Sequence, residues 1–199
     1  MEIPLQTNKT VDILKVLKSA VRIFDQNTIA LGSTHAYKSS NNLWVDSKQN
    51  AKVSRESVYN AEMYRILHNW LVKVRSFEVI GQWHLKTILE LLATASPVKL
   101  DIHFEQVFKY TERLNPLEAW VIHFSCEDDI IKDSYWPSNE LRKKELNVAH
   151  FWHNKNFKNV KVSSRSLDVS GNFQEIIDEQ ILPFYDVYHT HSCKLFPRV

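Results

Sequence analysis

The sequence predicts an α/β protein, mixed α+β, with a central mixed β-sheet flanked by helices. Three observations carry that expectation. Residues 10–25 and 56–74 repeat apolar side chains at three- and four-residue steps, the period of a half-buried helix. Short runs such as Thr87–Ala93 (TILELLA) and Ala119–Ser125 (AWVIHFS) are almost wholly apolar, the pattern of strands buried on both faces. Helical and strand patterns also alternate along the chain instead of falling into separate blocks.

In order, Thr10 is placed to cap a first helix whose inward residues are Val11, Leu14, Leu17, Val21 and Phe24. Residues 32–54 are dominated by Ser and Asn (Ser39, Ser40, Asn41, Asn42) and read as a polar linker. A stronger helix spans 56–74, with Met63, Ile66, Leu67, Trp70, Leu71 and Val74 as its apolar stripe. Phe77–Leu85 reads as a strand broken near Gly81, and Thr87–Ala93 as a central strand. Ser96-Pro97 supplies a cap and a first-turn proline. The helix it starts runs to about Leu114, with Ile102, Val107, Phe108 and Leu114 expected inward. After the strand at 119–125 come an acidic loop (Glu127, Asp128, Asp129), a short charged helix at 140–146, and strands at 147–153 and 159–164. Residues 173–182 suit a helix or a strand. The division this suggests is an N-terminal helix (1–31), a linker (32–54), an α/β domain (55–183) and a C-terminal tail (184–199).

Composition removes several function classes. The chain has 3 glycines in 199 residues, against an average of about 7%. Gly32, Gly81 and Gly171 are scattered, so no glycine-rich phosphate loop and no dinucleotide fingerprint exist, and no nucleotide cofactor is expected. The formal charge of +2 encourages nucleic acid only weakly. Two separated cysteines, Cys126 and Cys193, suit a reducing compartment. No secretory pattern opens the chain and no window reaches the roughly 20 apolar residues of a membrane helix. A cytoplasmic or nuclear address without membrane attachment is the expectation.

Two acids stand out. Glu90 lies between Leu89 and Leu91 in a run that otherwise excludes charge, so it needs a partner: a metal ion, a protein cation, or backbone N–H groups. Glu62 sits at the margin of the apolar stripe of its helix, where a solvated carboxylate is the plainer reading. Among the histidines, His150 and His153 fall on opposite strand faces and do not ligate jointly. His84 and His123 are packed strand histidines or contacts of a site. His189, His191 and Cys193 are spaced for a weak adventitious metal site or belong to a tail. Of the tryptophans, those within apolar runs read as core and not as base-stacking platforms.

The segments VYNAEMYRILHNWL (58–71), GQWHL, ILELLATAS, HFEQVFKY, EAWVIHFSCEDD, YWP, LNVAHFWHNKNF and the stretch from VSSR to ILP (162–183) together resemble a family widespread in fungal genomes. It is similar to restriction-endonuclease-like domains of the PD-(D/E)XK superfamily, including those linked to Crinkler-type proteins. The resemblance covers roughly residues 27–183. It implies a core of helix, three-stranded meander, helix and strand, and in active members Mg²⁺-dependent hydrolysis of phosphodiester bonds. There, an Asp on the second strand and a Glu two residues before a Lys on the third hold the ion and position the water, often with a Glu from the first helix. Hard cations take carboxylate oxygens, and the bound ion stabilises phosphate charge while making a nucleophile from water.

Carried over by position, Glu62 is the helix acid and Glu90 the strand acid; both are the implied Mg²⁺ ligands. Two departures weaken catalysis. Leu92 stands where the Lys should be, and the Asp has no counterpart. The strand that would carry it falls in a gap filled by Lys86 and Thr87 alone, so one core strand is missing. Lys86 shares the parity of Glu90 but lies about 13 Å along the strand, and Glu78 is on a preceding strand of unknown register. The expectation is a degenerate nuclease-like domain, catalytically impaired and retained as a nucleic-acid-binding or interaction module. The alternatives are an active Mg²⁺-dependent nuclease built on Glu62, Glu90 and Lys86, and a structural or protein-interaction domain.

Overall fold

The computed structural model describes residues 4–7, 11–32, 56–75, 87–93, 95–126, 134–138, 146–168 and 170–183. Their elements, in order, are α1 (Ile13–Arg22), α2 (Gln26–Gly32), α3 (Glu56–Arg75), β1 (Thr87–Ala93), α4 (Pro97–Leu114), β2 (Glu118–Cys126), β3 (Leu146–His153), β4 (Val160–Leu167) and β5 (Phe173–Leu182). The five strands form one mixed sheet in sequence order. β1, β2 and β3 are parallel, and β3–β4 and β4–β5 are antiparallel. The expected class is therefore observed.

Parallel strands need long connections, and α4 is the one between β1 and β2. Its start is chemically specified. Ser96 is the N-cap, its side chain accepting from the Lys99 N–H, and Pro97 occupies the first turn where no N–H is required. At its far end Asn115 takes a left-handed conformation (φ 45°) and its N–H returns to the Thr111 carbonyl.

Alternation along the strands sorts the core into two layers. Leu89, Leu91 and Ala93 of β1, Trp120, Ile122 and Phe124 of β2, and Ala149 and Phe151 of β3 face α1, α2 and α3. Tyr59 stacks on Phe124, and Phe24 stacks on Phe124 and Phe157, with ring centroids 4.5–5.9 Å apart. Ile88, Leu92, Ala119, Val121, Leu146 and Val148 face the other way, toward α4 and Tyr135–Trp136. The N-terminal helices thus share one core with the sheet. α1 is also tied to the last strand by Lys18 and Glu179, 2.5 Å apart.

Several elements differ from expectation for identifiable reasons. The first helix begins after Asp12, not at Thr10, because the Asp12 carboxylate accepts the Lys15 N–H. α2 was not anticipated; Asp25 starts it by accepting from the Asn27 and Thr28 N–H groups. β1, expected in the centre, is an end strand among the described residues, and its first half, Thr87–Glu90, is only half-buried. In α4 the inward residues are Leu100, Phe104 and Val107; Ile102 and Leu114 are exposed. Ile102 lies about 200° around the helix from Leu100, so both cannot face the sheet. Residues 173–182 are a strand, irregularly paired to β4, with Asp178 at φ 50° and its N–H held by the Ser163 hydroxyl at 3.0 Å. Gly32, expected to open the linker at 32–54, ends α2, and Leu146, expected to end the charged helix at 140–146, begins β3; the rest of both, the strand at 77–85, the acidic loop and the tail from 184 lie outside the described residues.

The two faces of α4 separate cleanly in a stability measurement. Phe104→Ala is expected to destabilise by about 3–5 kcal/mol, and Ile102→Ala by no more than about 0.5 kcal/mol. Denaturant unfolding of the two variants reads the difference, and equal losses would contradict the assigned face.

Candidate functional site

Glu62 and Glu90 are engaged on opposite layers. Glu62, nearly buried on α3, takes a two-pronged contact from Arg65: Nη2 to Oε2 at 2.7 Å and Nε to Oε1 at 3.1 Å. Its Oε2 also accepts the Asp25 backbone N–H at 3.1 Å. The hydrogen bond from Arg65, with that from Asp25, holds its carboxyl below the usual range against the opposing effect of burial. Because Asp25 caps α2, Glu62 fixes the start of α2 onto α3.

Glu90 points to the other layer with Ile88 and Leu92. Its Oε1 lies 3.0 Å from His103 Nδ1 on α4, and a quarter of the side chain remains exposed. The partner that a charge in this strand demanded is an imidazole from the crossover helix. Lys86, Glu78 and His84 lie outside the described residues, as do His189, His191 and Cys193. Among the described residues, no group of three or more His, Cys, Asp or Glu side chains is placed to hold a metal ion. The donor set also fits Mg²⁺ poorly. That ion wants several oxygen ligands in near-octahedral array, and here two carboxylates face opposite ways, each already paired.

The most distinctive polar cluster is elsewhere. His123 of β2 and His150 of β3 stand side by side in register, both almost fully buried, with their Nδ1 atoms 3.2 Å apart. The Ala95 N–H donates to His123 Nε2 at 3.2 Å. His123 therefore carries its proton on Nδ1 and donates to His150 Nδ1. His150 then carries its proton on Nε2, which donates to the Tyr135 carbonyl. One arrangement of two neutral rings satisfies all four nitrogens. Burial pushes His123 down to about 3, helped by His150 and Lys99. It also pushes His150 down to about 4, with Arg165 adding to the effect and the Tyr135 carbonyl opposing it.

This chain of bonds pins residues 134–138 to the sheet. Tyr135 also donates its hydroxyl to Asp101 of α4 at 2.8 Å. Trp136 meets the edge of His150 at 4.9 Å between centroids and carries the Arg165 guanidinium 4.4 Å over its ring. Arg165 is held in turn by Glu175 at 2.7 Å. On the opposite face the Tyr59 hydroxyl donates to His153 Nε2 at 2.6 Å, and His153 Nδ1–H donates to the Asn154 carbonyl at 2.8 Å. His150 and His153 do serve opposite faces, as their spacing predicts. The His123–His150 pair escaped sequence reasoning; its signal was one histidine inside each of two apolar strand runs.

No protein-family model, curated protein or solved structure matches the chain. The site is therefore read from its own geometry.

Two measurements check it. In the unfolded chain each imidazole binds a proton near 6.5, whereas the folded rings remain neutral down to about 4 and about 3. Between those limits the unfolded state holds more protons, so stability falls as the pH drops below 6.5 and is level above about 7. Each ring contributes a slope of about 1.4 kcal/mol per pH unit. Urea unfolding from pH 7.5 to 4.5 reads the slope, and His123→Leu combined with His150→Leu should flatten it. Separately, Glu62→Ala is expected to lose about 1–3 kcal/mol by freeing the Asp25 N–H and Arg65.

Proposed function

We propose that this chain is a degenerate PD-(D/E)XK nuclease-like domain, catalytically impaired and retained as a nucleic-acid-binding or interaction module. The observation that carries the proposal is the state of the two acids assigned to the metal by resemblance. Glu62 is consumed by Arg65 and the start of α2. Glu90 is paired with His103 on the far side of the sheet. Leu92, at the position of the motif lysine, is buried in the apolar layer under α4 and offers no group to position a water.

The order β1, α4, β2, with β1 and β2 parallel, is compatible with the third strand, second helix and last strand of the implied core. That correspondence supports the kinship and not the activity. No helix among the described residues is long and apolar enough to cross a membrane.

The full chain incubated with plasmid or single-stranded DNA in Mg²⁺ or Mn²⁺ is expected to leave the DNA intact. Cleavage that disappears in Glu90→Ala would overturn the impaired reading in favour of an active nuclease. Fluorescence anisotropy with a labelled oligonucleotide tests the binding half. Contact with phosphates requires affinity to fall steeply as salt rises, and an absence of binding at low salt would leave the protein-interaction role.

A further inference from the structure

β3 is buried along its whole length except at Trp152, its largest side chain. Trp152 faces the α4 side, as His150 does, one step beyond the imidazole relay and at the carboxyl end of the parallel strands. Parallel sheets bind ligands at that end. Among the described residues no ring stacks on its indole and no acceptor takes its Nε1–H. Its neighbours in register complete a row across the sheet: Ser125 on β2, Lys161 on β4 and Gln180 on β5. Lys161 is directly opposite Trp152 in an antiparallel pair, which sets their Cβ atoms about 4.5–5.5 Å apart.

The charge around that indole has one sign. From Leu146 to Leu167 the sequence holds no acid and four cations, Lys155, Lys158, Lys161 and Arg165. Arg165 is engaged by Glu175 and Trp136. Lys158 and Lys161 have no carboxylate partner among the described residues. The turn that carries Lys158 is tightly specified. Asn154 Oδ1 accepts the Lys158 and Asn159 N–H groups at 2.9 and 3.0 Å. Phe157 takes a left-handed conformation (φ 55°), which a bulky side chain seldom adopts, and is fully buried against Phe24 and His153. With Phe157 turned inward, Lys155, Asn156 and Lys158 are exposed. Backbone strain of this kind clusters at functional surfaces.

We infer that the β3–β4 hairpin is a contact surface for single-stranded nucleic acid, with a base stacked on Trp152 and the adjoining phosphates held by Lys161 and Lys158. This rests on the nucleic-acid half of the proposed function and adds the surface and the form of the ligand. A partly open indole beside ammonium groups is the combination that single strands engage, since every base has a face to stack and every phosphate a charge to pair. Within a duplex the bases are stacked on one another, which withholds their faces from Trp152. Stacking ignores base identity, so the contact tolerates any sequence. Trp152 is also recessed, half-buried in the sheet face. A flat lipid surface does not reach such a side chain, and an extended strand of nucleotides does.

Fluorescence anisotropy of the full chain with labelled oligo-dT, oligo-U and a DNA duplex of equal length, all at low salt, tests the contact. Both single strands are expected to bind more tightly than the duplex. Trp152→Ala should weaken single-strand binding about fivefold or more, and Trp152→Phe, which keeps a stacking face, should bring it back to within about threefold of wild type. Lys158→Gln combined with Lys161→Gln should lessen the slope of log K against log salt by about 1.4, since each phosphate contact on a single strand contributes about 0.7. Both lysines lie outside the core, and matching thermal unfolding confirms that the variants fold. Equal binding by wild type, Trp152→Ala and the lysine pair, or tighter binding to the duplex, would overturn this inference and leave the proposed function standing. No binding of wild type to any oligonucleotide would overturn it together with the nucleic-acid half of that function. Co-sedimentation with phosphatidylserine vesicles in place of oligonucleotide binding would assign the lysines to a lipid surface and overturn it as well.

Discussion

Parallel pairing of β2 between β1 and β3 is the constraint on which the rest of the structure depends. Every residue of β2 after Glu118 is buried, so both faces of the sheet centre must be covered. One cover is built from three helices, α1, α2 and α3. The other is the crossover helix α4, supplemented by Tyr135 and Trp136. A strand buried on both sides has no water for its polar side chains, and each must find a partner in the protein. His123 and His150 meet that demand with each other, one backbone amide and one backbone carbonyl.

The two covers differ in character. Beneath α1–α3 the layer is dominated by stacked aromatic rings, with Tyr59 and His153 as its polar link. Beneath α4 it is apolar near the start of the strands and polar farther along, where Ala95, His123, His150 and Tyr135 join four separate segments. The carboxylates that resemblance assigns to a metal are absorbed into scaffolding. Glu62 unites two helices, and Glu90 ties the end strand to the crossover. In a parallel sheet, ligands gather at the carboxyl ends of the strands. Here the α4 side of the β2–β3 pair carries the imidazole relay and Trp136 three residues before the strands end.

How much of this was legible follows from the range of each interaction. Ala119–Ser125 and Asn147–His153 were readable because a doubly buried strand writes its environment into a continuous apolar run; Thr87–Ala93 carries the same run at the end of the sheet, so its strand was legible but its place was not. Ser96-Pro97 was readable because capping is local. α2 was missed because its signal is one aspartate, Asp25, and seven residues give no period. The inward face of α4 was misjudged because Ile102 and Leu114 carry the same apolar signal as Leu100 and Phe104, and sequence does not say which row meets the sheet. That Glu90 needed a partner was deducible from burial, but not that His103 would supply it. The histidine relay joins positions 27 apart in sequence, so its existence depended on a register that only the folded sheet fixes.

The irregular pairing at Asp178 has a consequence for the protein's behaviour in a crowded solution. β5 is ten residues long and, among the described residues, nothing pairs with its outer side. A straight strand of that length with Phe173 and Ile177 exposed would present a row of free amides and carbonyls to any passing chain. The left-handed turn at Asp178 breaks that row near its middle, and Glu175 and Glu179 are turned to cations of the same chain, Arg165 and Lys18. Two such edges approaching each other meet mismatched backbone. The distortion thereby guards the sheet against growing into an aggregate.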